Sequence, residues 1–204
     1  MPLNPVKYQY RPRPPVARLL TITKYDLDSI DSFLKLAQQA QLSERADLEV
    51  RAAIAPADTP DDFYADDFAE LGDFWTLGTE FAIVGLWRCI ELYRKRAIRA
   101  ASGEKAAAEA FRHKEFQEEL SKLGITETRI RCAHSVDELR CLSNAVKHAQ
   151  SVDSDLAKFS RWQGKKGRKL GNLERHYRRR RPLAERYLTD LTNRLTRSTA
   201  AHNP

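Results

Sequence analysis

Apolar residues recur at helical spacing along most of the chain, and no strand-like alternation of convincing length interrupts them. Leu27, Ile30, Leu34 and Ala37 predict a helix over 26–41, and a shorter one is expected over 43–54, ended by Pro56 and Pro60. The strongest pattern covers 73–101. There Phe74, Leu77, Phe81 and Val84 form one apolar stripe, and Ile83, Leu86, Ile90, Tyr93 and Ala97 form a second. Two apolar faces on one helix imply neighbours on both sides, hence a central position. Gly103 breaks the pattern, 104–123 resumes it, and Gly124 breaks it again. Ser135 with Glu138 three residues later reads as a capping box, opening a helix to about residue 150 with Val136, Leu139, Leu142 and Val146 on its buried face. Gly164, Gly167 and Gly171 mark a loop, and a last helix is expected from about 172 to 195, interrupted or restarted at Pro182. These patterns predict an all-α fold, a helical bundle with a long central helix and an extended N-terminal arm.

Proline placement sharpens the map. Five of nine prolines lie within 1–15, and none lies between Asp61 and Arg181. The expected organisation is an extended basic arm over 1–18, N-terminal helices over 19–60, the bundle over 61–197 and a tail over 198–204. With 204 residues, 42% of them hydrophobic, the chain can bury a real core. The most apolar run, 77–87, already contains Glu80 and falls short of the roughly 18 residues a membrane span needs, so no membrane contact is expected. No secretory signal is visible, and the odd set of Cys89, Cys132 and Cys141 argues against a disulfide framework. A cytoplasmic location is the expectation.

Charge is polarised along the chain. Residues 161–181 hold ten Lys or Arg against one Glu, whereas 58–73 hold seven Asp or Glu and no cation. The net charge of +7 therefore comes from one segment. Arg161, Lys165, Lys166, Arg168, Lys169, Arg178, Arg179, Arg180 and Arg181 are the candidate nucleic-acid-binding residues, with Trp162 and Tyr177 available to stack on bases. Arg11, Arg13 and Arg18 add to them. The alternatives are a solvated helix end or a salt-bridged partner for the 58–73 stretch, in the same chain or across a dimer.

The most informative segment is ELRCLSNAVKH, residues 138–148. Arg140, Asn144 and His148 step around a helix by about 40° each, and Lys147 falls within about 20° of Arg140, so all four share one polar face. They offer cations for a phosphate, an orienting amide, and an imidazole that moves protons near neutral pH. In metal-free RNA cleavage the imidazole would act as base or acid at the 2′-hydroxyl or the leaving oxygen, while Arg or Lys stabilises charge on the phosphate. A plain solvated helix face has the same composition.

A long helix carrying LGTEFAIVGLWRCIELYRKR, followed by another carrying LRCLSNAVKH, resembles the HEPN superfamily of bacterial helical bundles, many of whose members are implicated in defence and toxin systems. The resemblance covers about 61–197, and Arg140, Asn144 and His148 are matched to its motif. It implies a four- or five-helix bundle that forms a homodimer and joins two Arg and His sets into one metal-independent ribonuclease site. Seven residues separate Arg140 from His148 where the family pattern has four to six, which leaves open a member that kept the fold and lost or changed the activity. Arg129 and His134 have four between them but straddle a turn.

Glu80 and Glu91 are candidate acids to orient Arg140 or His148, with a structural ion pair or exposed carboxylate as the alternative. Cys132, His134, Cys141 and His148 carry zinc-ligand chemistry at poor spacing, so no metal is assigned, and no motif calls for a cofactor. The reading is a HEPN-like protein that cleaves or binds RNA or another polyanion. The rival is a non-catalytic dimerisation or interaction module whose basic segment binds nucleic acid or an acidic partner.

Overall fold

A computed structural model describes residues 15–60, 62–110 and 112–202. They form an all-α bundle of six helices: α1 (Pro15–Ala53), α2 (Ala65–Ser102), α3 (Glu104–Glu109), α4 (His113–Lys122), α5 (Ala133–His148) and α6 (Leu173–His202). Short 3-10 turns at Glu127–Arg129, Leu156–Lys158 and Ser160–Trp162 join them. Among the described residues the sole β pairing is an isolated bridge between Ser151 and Lys169.

The central helix is α2, which packs against α1, α5 and α6 and, at its C-terminal end, against α3 and α4. Its stripe of Ile83, Leu86, Ile90, Tyr93 and Ala97 is fully buried. It meets Leu139 and Leu142 of α5 and Tyr187, Leu188, Leu191 and Leu195 of α6 in one core. The other expected stripe lies outside it: Phe74, Leu77 and Phe81 are 46%, 47% and 58% exposed. Neighbours do lie on both sides of α2, α1 on one and α5 and α6 on the other, but of the second stripe only Val84 packs against the core, and Phe74, Leu77 and Phe81 stay open. The reason is the α1 crossing, which is centred on Gly78 and Gly85 instead of on the large side chains; ideal Cβ atoms there would meet Ala37 and Ile30 at 3.7 and 3.4 Å.

Several boundaries differ from expectation. The two helices expected over 26–54 are one, because no glycine or proline stands between them. Residues 15–18 belong to α1 and not to an extended arm; a proline in the first helical turn is tolerated because its missing N–H would have no partner there. The rest of the expected arm, with Arg11 and Arg13, lies outside the described residues. α2 begins at Ala65 instead of 73, since Asp66 and Asp67 in its first turn complement the positive helix end, and Gly72 sits in open space within the helix. α6 runs unbroken through Pro182, held by buried Tyr177 and Arg180 before it and Ala184 and Tyr187 after it. It also continues through most of the expected tail, where the Ser198 hydroxyl donates to the Leu123 carbonyl at 2.8 Å.

The capping box does not form. α5 opens three residues earlier, behind Cys132 as N-cap in the left-handed region at φ 64°, and Ser135 lies inside the first turn. Glu138 instead accepts from Trp162 Nε1 at 2.8 Å and pairs with the guanidinium of Arg180. A buried cation outcompetes an exposed backbone N–H for the same carboxylate.

Candidate functional site

One recess of about 200 Å³ gathers the polar chemistry. Its lining combines Trp87, Glu91 and Arg94 of α2, Arg112 and His113 at the start of α4, and Arg140 and Asn144 of α5. Sequence periodicity identified Arg140 and Asn144, and the structure brings them together. Lys147 and His148 are exposed at the end of α5 and do not line this recess. Eight residues at about 1.5 Å rise put His148 two turns beyond Arg140, which explains the separation. The imidazole in the recess is His113, delivered by α4.

Arg94 forms the floor. Its side chain is 6% exposed and pairs with Glu127 at 2.6 Å, while Nη2 and Nε donate to the Tyr187 hydroxyl at 2.8 and 3.1 Å. Its guanidinium also lies 5.2, 4.7 and 5.1 Å from the ring centroids of Trp87, Phe116 and Tyr187. A cation so enclosed is positioned, not mobile. Its Nη1 faces His113 Nδ1 at 3.3 Å. Because guanidinium nitrogens only donate, Nδ1 accepts and the neutral ring carries its proton on Nε2, which requires the Gln117 side-chain amide, 3.3 Å from that nitrogen, to present its oxygen there. That nitrogen lies 3.7 Å from Glu127 Oε2 and 3.8 Å from Asp137 Oδ1. Burial, helped by the charges of Arg94 and Arg140, holds the His113 pKa below its ordinary value although Glu127 and Asp137 act the other way.

Arg140 is held by a carboxylate the sequence reading did not select. Its Nε donates to Asp137 Oδ1 at 2.8 Å, and Nη2 reaches Cys141 Sγ at 3.3 Å. Asp137 therefore stands between Arg140 and His113. Of the two proposed orienting acids, Glu91 lines the recess and pairs with Arg88 at 3.5 Å, while Glu80 is half-buried elsewhere on α2. Burial pushes the Cys141 thiol up to about 11, so it stays protonated and unreactive at neutral pH. Among the described residues no three His, Cys, Asp or Glu side chains converge as a metal site would require.

The basic segment splits into two classes. Lys165, Lys166, Arg168, Lys169 and Arg179 are exposed and Arg161 is partly so. Arg178 is exposed but pairs with Glu174 at 2.7 Å. Arg180 and Arg181 are internal anchors, which corrects their assignment to nucleic acid: Arg180 is 2% exposed against Glu138, and Arg181 binds Asp28, Asp31 and Glu185 at 2.7, 2.9 and 3.1 Å. The two aromatics are also unavailable for stacking. Trp162 is buried against the ring of His176 at 4.5 Å, and the buried Tyr177 donates to Asp31 at 2.6 Å. Among the described residues, the ion pairs of 178–181 go to α1, α5 and α6, not to the acidic 58–73 stretch.

Arg129 lies in a 3-10 turn and His134 in the first turn of α5, so that pair straddles a turn. Comparison with protein-family models, with curated proteins and with solved structures finds no match to this chain.

Proposed function

We propose that this protein is a HEPN-like helical bundle that binds RNA, holding a phosphodiester in the recess between α2, α4 and α5. The carrying observation is the convergence of Arg112, Arg140, His113 and Asn144 on one concavity, with a single recess-lining carboxylate, Glu91. Arg112 and Arg140 supply charge and Asn144 supplies a directional amide donor, while the His113 ring packs beside them with Nε2 turned to Gln117, Glu127 and Asp137. The exposed Lys165, Lys166, Arg168 and Lys169 loop adds a sequence-independent attraction for the backbone.

Binding is favoured over cleavage by the state of the imidazole. Its accepting nitrogen is occupied by Arg94, and its lowered pKa leaves it uncharged at neutral pH, so it is neither a free base nor a strong acid. The second reading, metal-independent cleavage, is supported by Asp137, which lies against both Arg140 and His113 and is itself 38% exposed.

Labelled single-stranded RNA in EDTA separates the two. The binding reading expects a complex that weakens steeply with salt, loses about tenfold or more in affinity in Arg140→Gln, and leaves the RNA intact. Chelator-resistant cleavage abolished by His113→Ala establishes the second reading. Wild-type affinity retained in Arg112→Gln/Arg140→Gln, without cleavage, removes the recess from both.

A further inference from the structure

Every large hydrophobic side chain that the described residues leave exposed lies between Ile22 and Phe81. Six of them form one face. On α1, Tyr25, Phe33 and Leu36 fall within one sector at about 100° per residue, and on α2 Phe74, Leu77 and Phe81 do the same. The seam between the helices is fixed by Gly78 against Ala37 and Gly85 against Ile30. α6 packs on one side of it, where Arg181 reaches Asp28 and Asp31 and Tyr93 contacts Thr192. Antiparallel helical geometry places both apolar sectors on the side of the seam away from α6.

The exposed fractions are 70%, 44% and 65% for Tyr25, Phe33 and Leu36, and 46%, 47% and 58% for Phe74, Leu77 and Phe81. At about 200 Å² for a whole aromatic side chain and somewhat less for leucine, the face presents roughly 600 Å² of apolar area. That is at the upper limit for a monomer's largest patch. It also supplies the apolar share of a standard interface, which takes about 800 Å² per partner, little more than half of it apolar.

Charge selects the occupant. Asp67 and Glu70 continue the α2 sector on the N-terminal side of Phe74, and Arg88 continues it beyond Phe81, with its side chain 64% exposed. The α2 strip of the face therefore runs acidic, apolar, basic, with Glu44 and Arg51 of α1 beside its acidic end and Glu91 paired with Arg88 at the other. A second copy turned by 180° about an axis crossing both helices matches each acidic end with a basic one. We propose that the α1/α2 face pairs with the same face of a second copy, α2 lying antiparallel on α2, with Leu77 against the second copy's Phe81 and Glu70 against its Arg88.

This arrangement differs from the shared site that the family resemblance implies. Glu91 lies about twelve residues from the axis, so the two recesses stand on the order of 35 Å apart along α2 and each is built from one chain. Pairing through this face is independent of what the recess binds.

Sedimentation equilibrium on the full chain tests it. The wild type is expected at about twice 23.4 kDa at tens of micromolar. Phe81→Asp is expected at 23.4 kDa with unchanged helicity, because the position is exposed within the chain. Glu70→Arg and Arg88→Glu each raise the dissociation constant about tenfold by opposing like charges, and the double variant restores it. A wild-type monomer at that concentration, a dimer indifferent to Phe81→Asp, or a double variant weaker than both single variants overturns the proposal.

Discussion

Replacing Glu138 by alanine distinguishes the observed role of this carboxylate from the one its sequence position suggests. As a capping-box partner it would contribute about 1 kcal/mol. In the fold it is the counter-ion of Arg180, whose side chain is 2% exposed, and the acceptor for the buried Trp162 indole. Removing it strands a guanidinium that has no route to water. Breaking one side of such a pair costs about 3–5 kcal/mol, and most of that comes from the cation left behind. For a chain of this size the melting temperature falls by about 10 °C. Urea unfolding followed by tryptophan fluorescence measures the loss, and Glu138→Leu combined with Arg180→Met recovers much of it because no charge then remains buried. A loss near 1 kcal/mol in Glu138→Ala, or a double variant as unstable as the single one, would refute the reasoning.

Two further outcomes follow from individual contacts. Gly78→Ala is expected to stabilise the protein by about 0.5–1 kcal/mol in the same unfolding assay, since the new methyl group meets Ala37 at an ordinary 3.7 Å and helix propensity improves; a loss of stability would show that the seam requires glycine. His176 is held neutral by burial and by Arg180, which donates to its Nδ1 at 2.9 Å, and its pKa is lowered to about 4. The unfolded chain binds that proton near pH 6.5, so the contribution is complete above pH 6.5 and is lost as pH falls towards 4, by up to about 3 kcal/mol. Stability measured from pH 7 to pH 4 should fall less steeply in His176→Gln; an unchanged slope contradicts the assignment.

Helical periodicity located the bundle because an apolar stripe marks burial whatever its neighbour is. Ile83, Leu86, Ile90, Tyr93 and Ala97, and Val136, Leu139, Leu142 and Val146, are all buried as their spacing requires. Periodicity cannot tell which apolar face finds a partner within the chain, so it marks Phe74, Leu77 and Phe81 as buried although all three are exposed. Arg140 and Asn144 were legible from one amphipathic helix. His113 was not, because its contact with Arg94 and Asp137 crosses helices and leaves no local spacing. Asp137 did leave a signal, since it stands three residues before Arg140 at ion-pair spacing on the same helix. The arginine run misled for a related reason: four adjacent residues face all sides of a helix, so Arg180 and Arg181 had to point inward while Arg179 faces solvent.

The central claim is that one recess, containing His113 and not His148, receives a phosphodiester. Histidine ring resonances followed by NMR during titration with a short RNA carrying 2′-deoxy positions test it directly. Binding in the recess should shift the His113 signal and raise its pKa, because an anion beside the ring favours the protonated form, while Arg140→Gln should abolish both effects. Shifts confined to His148, with His113 unmoved at saturation, would contradict the account.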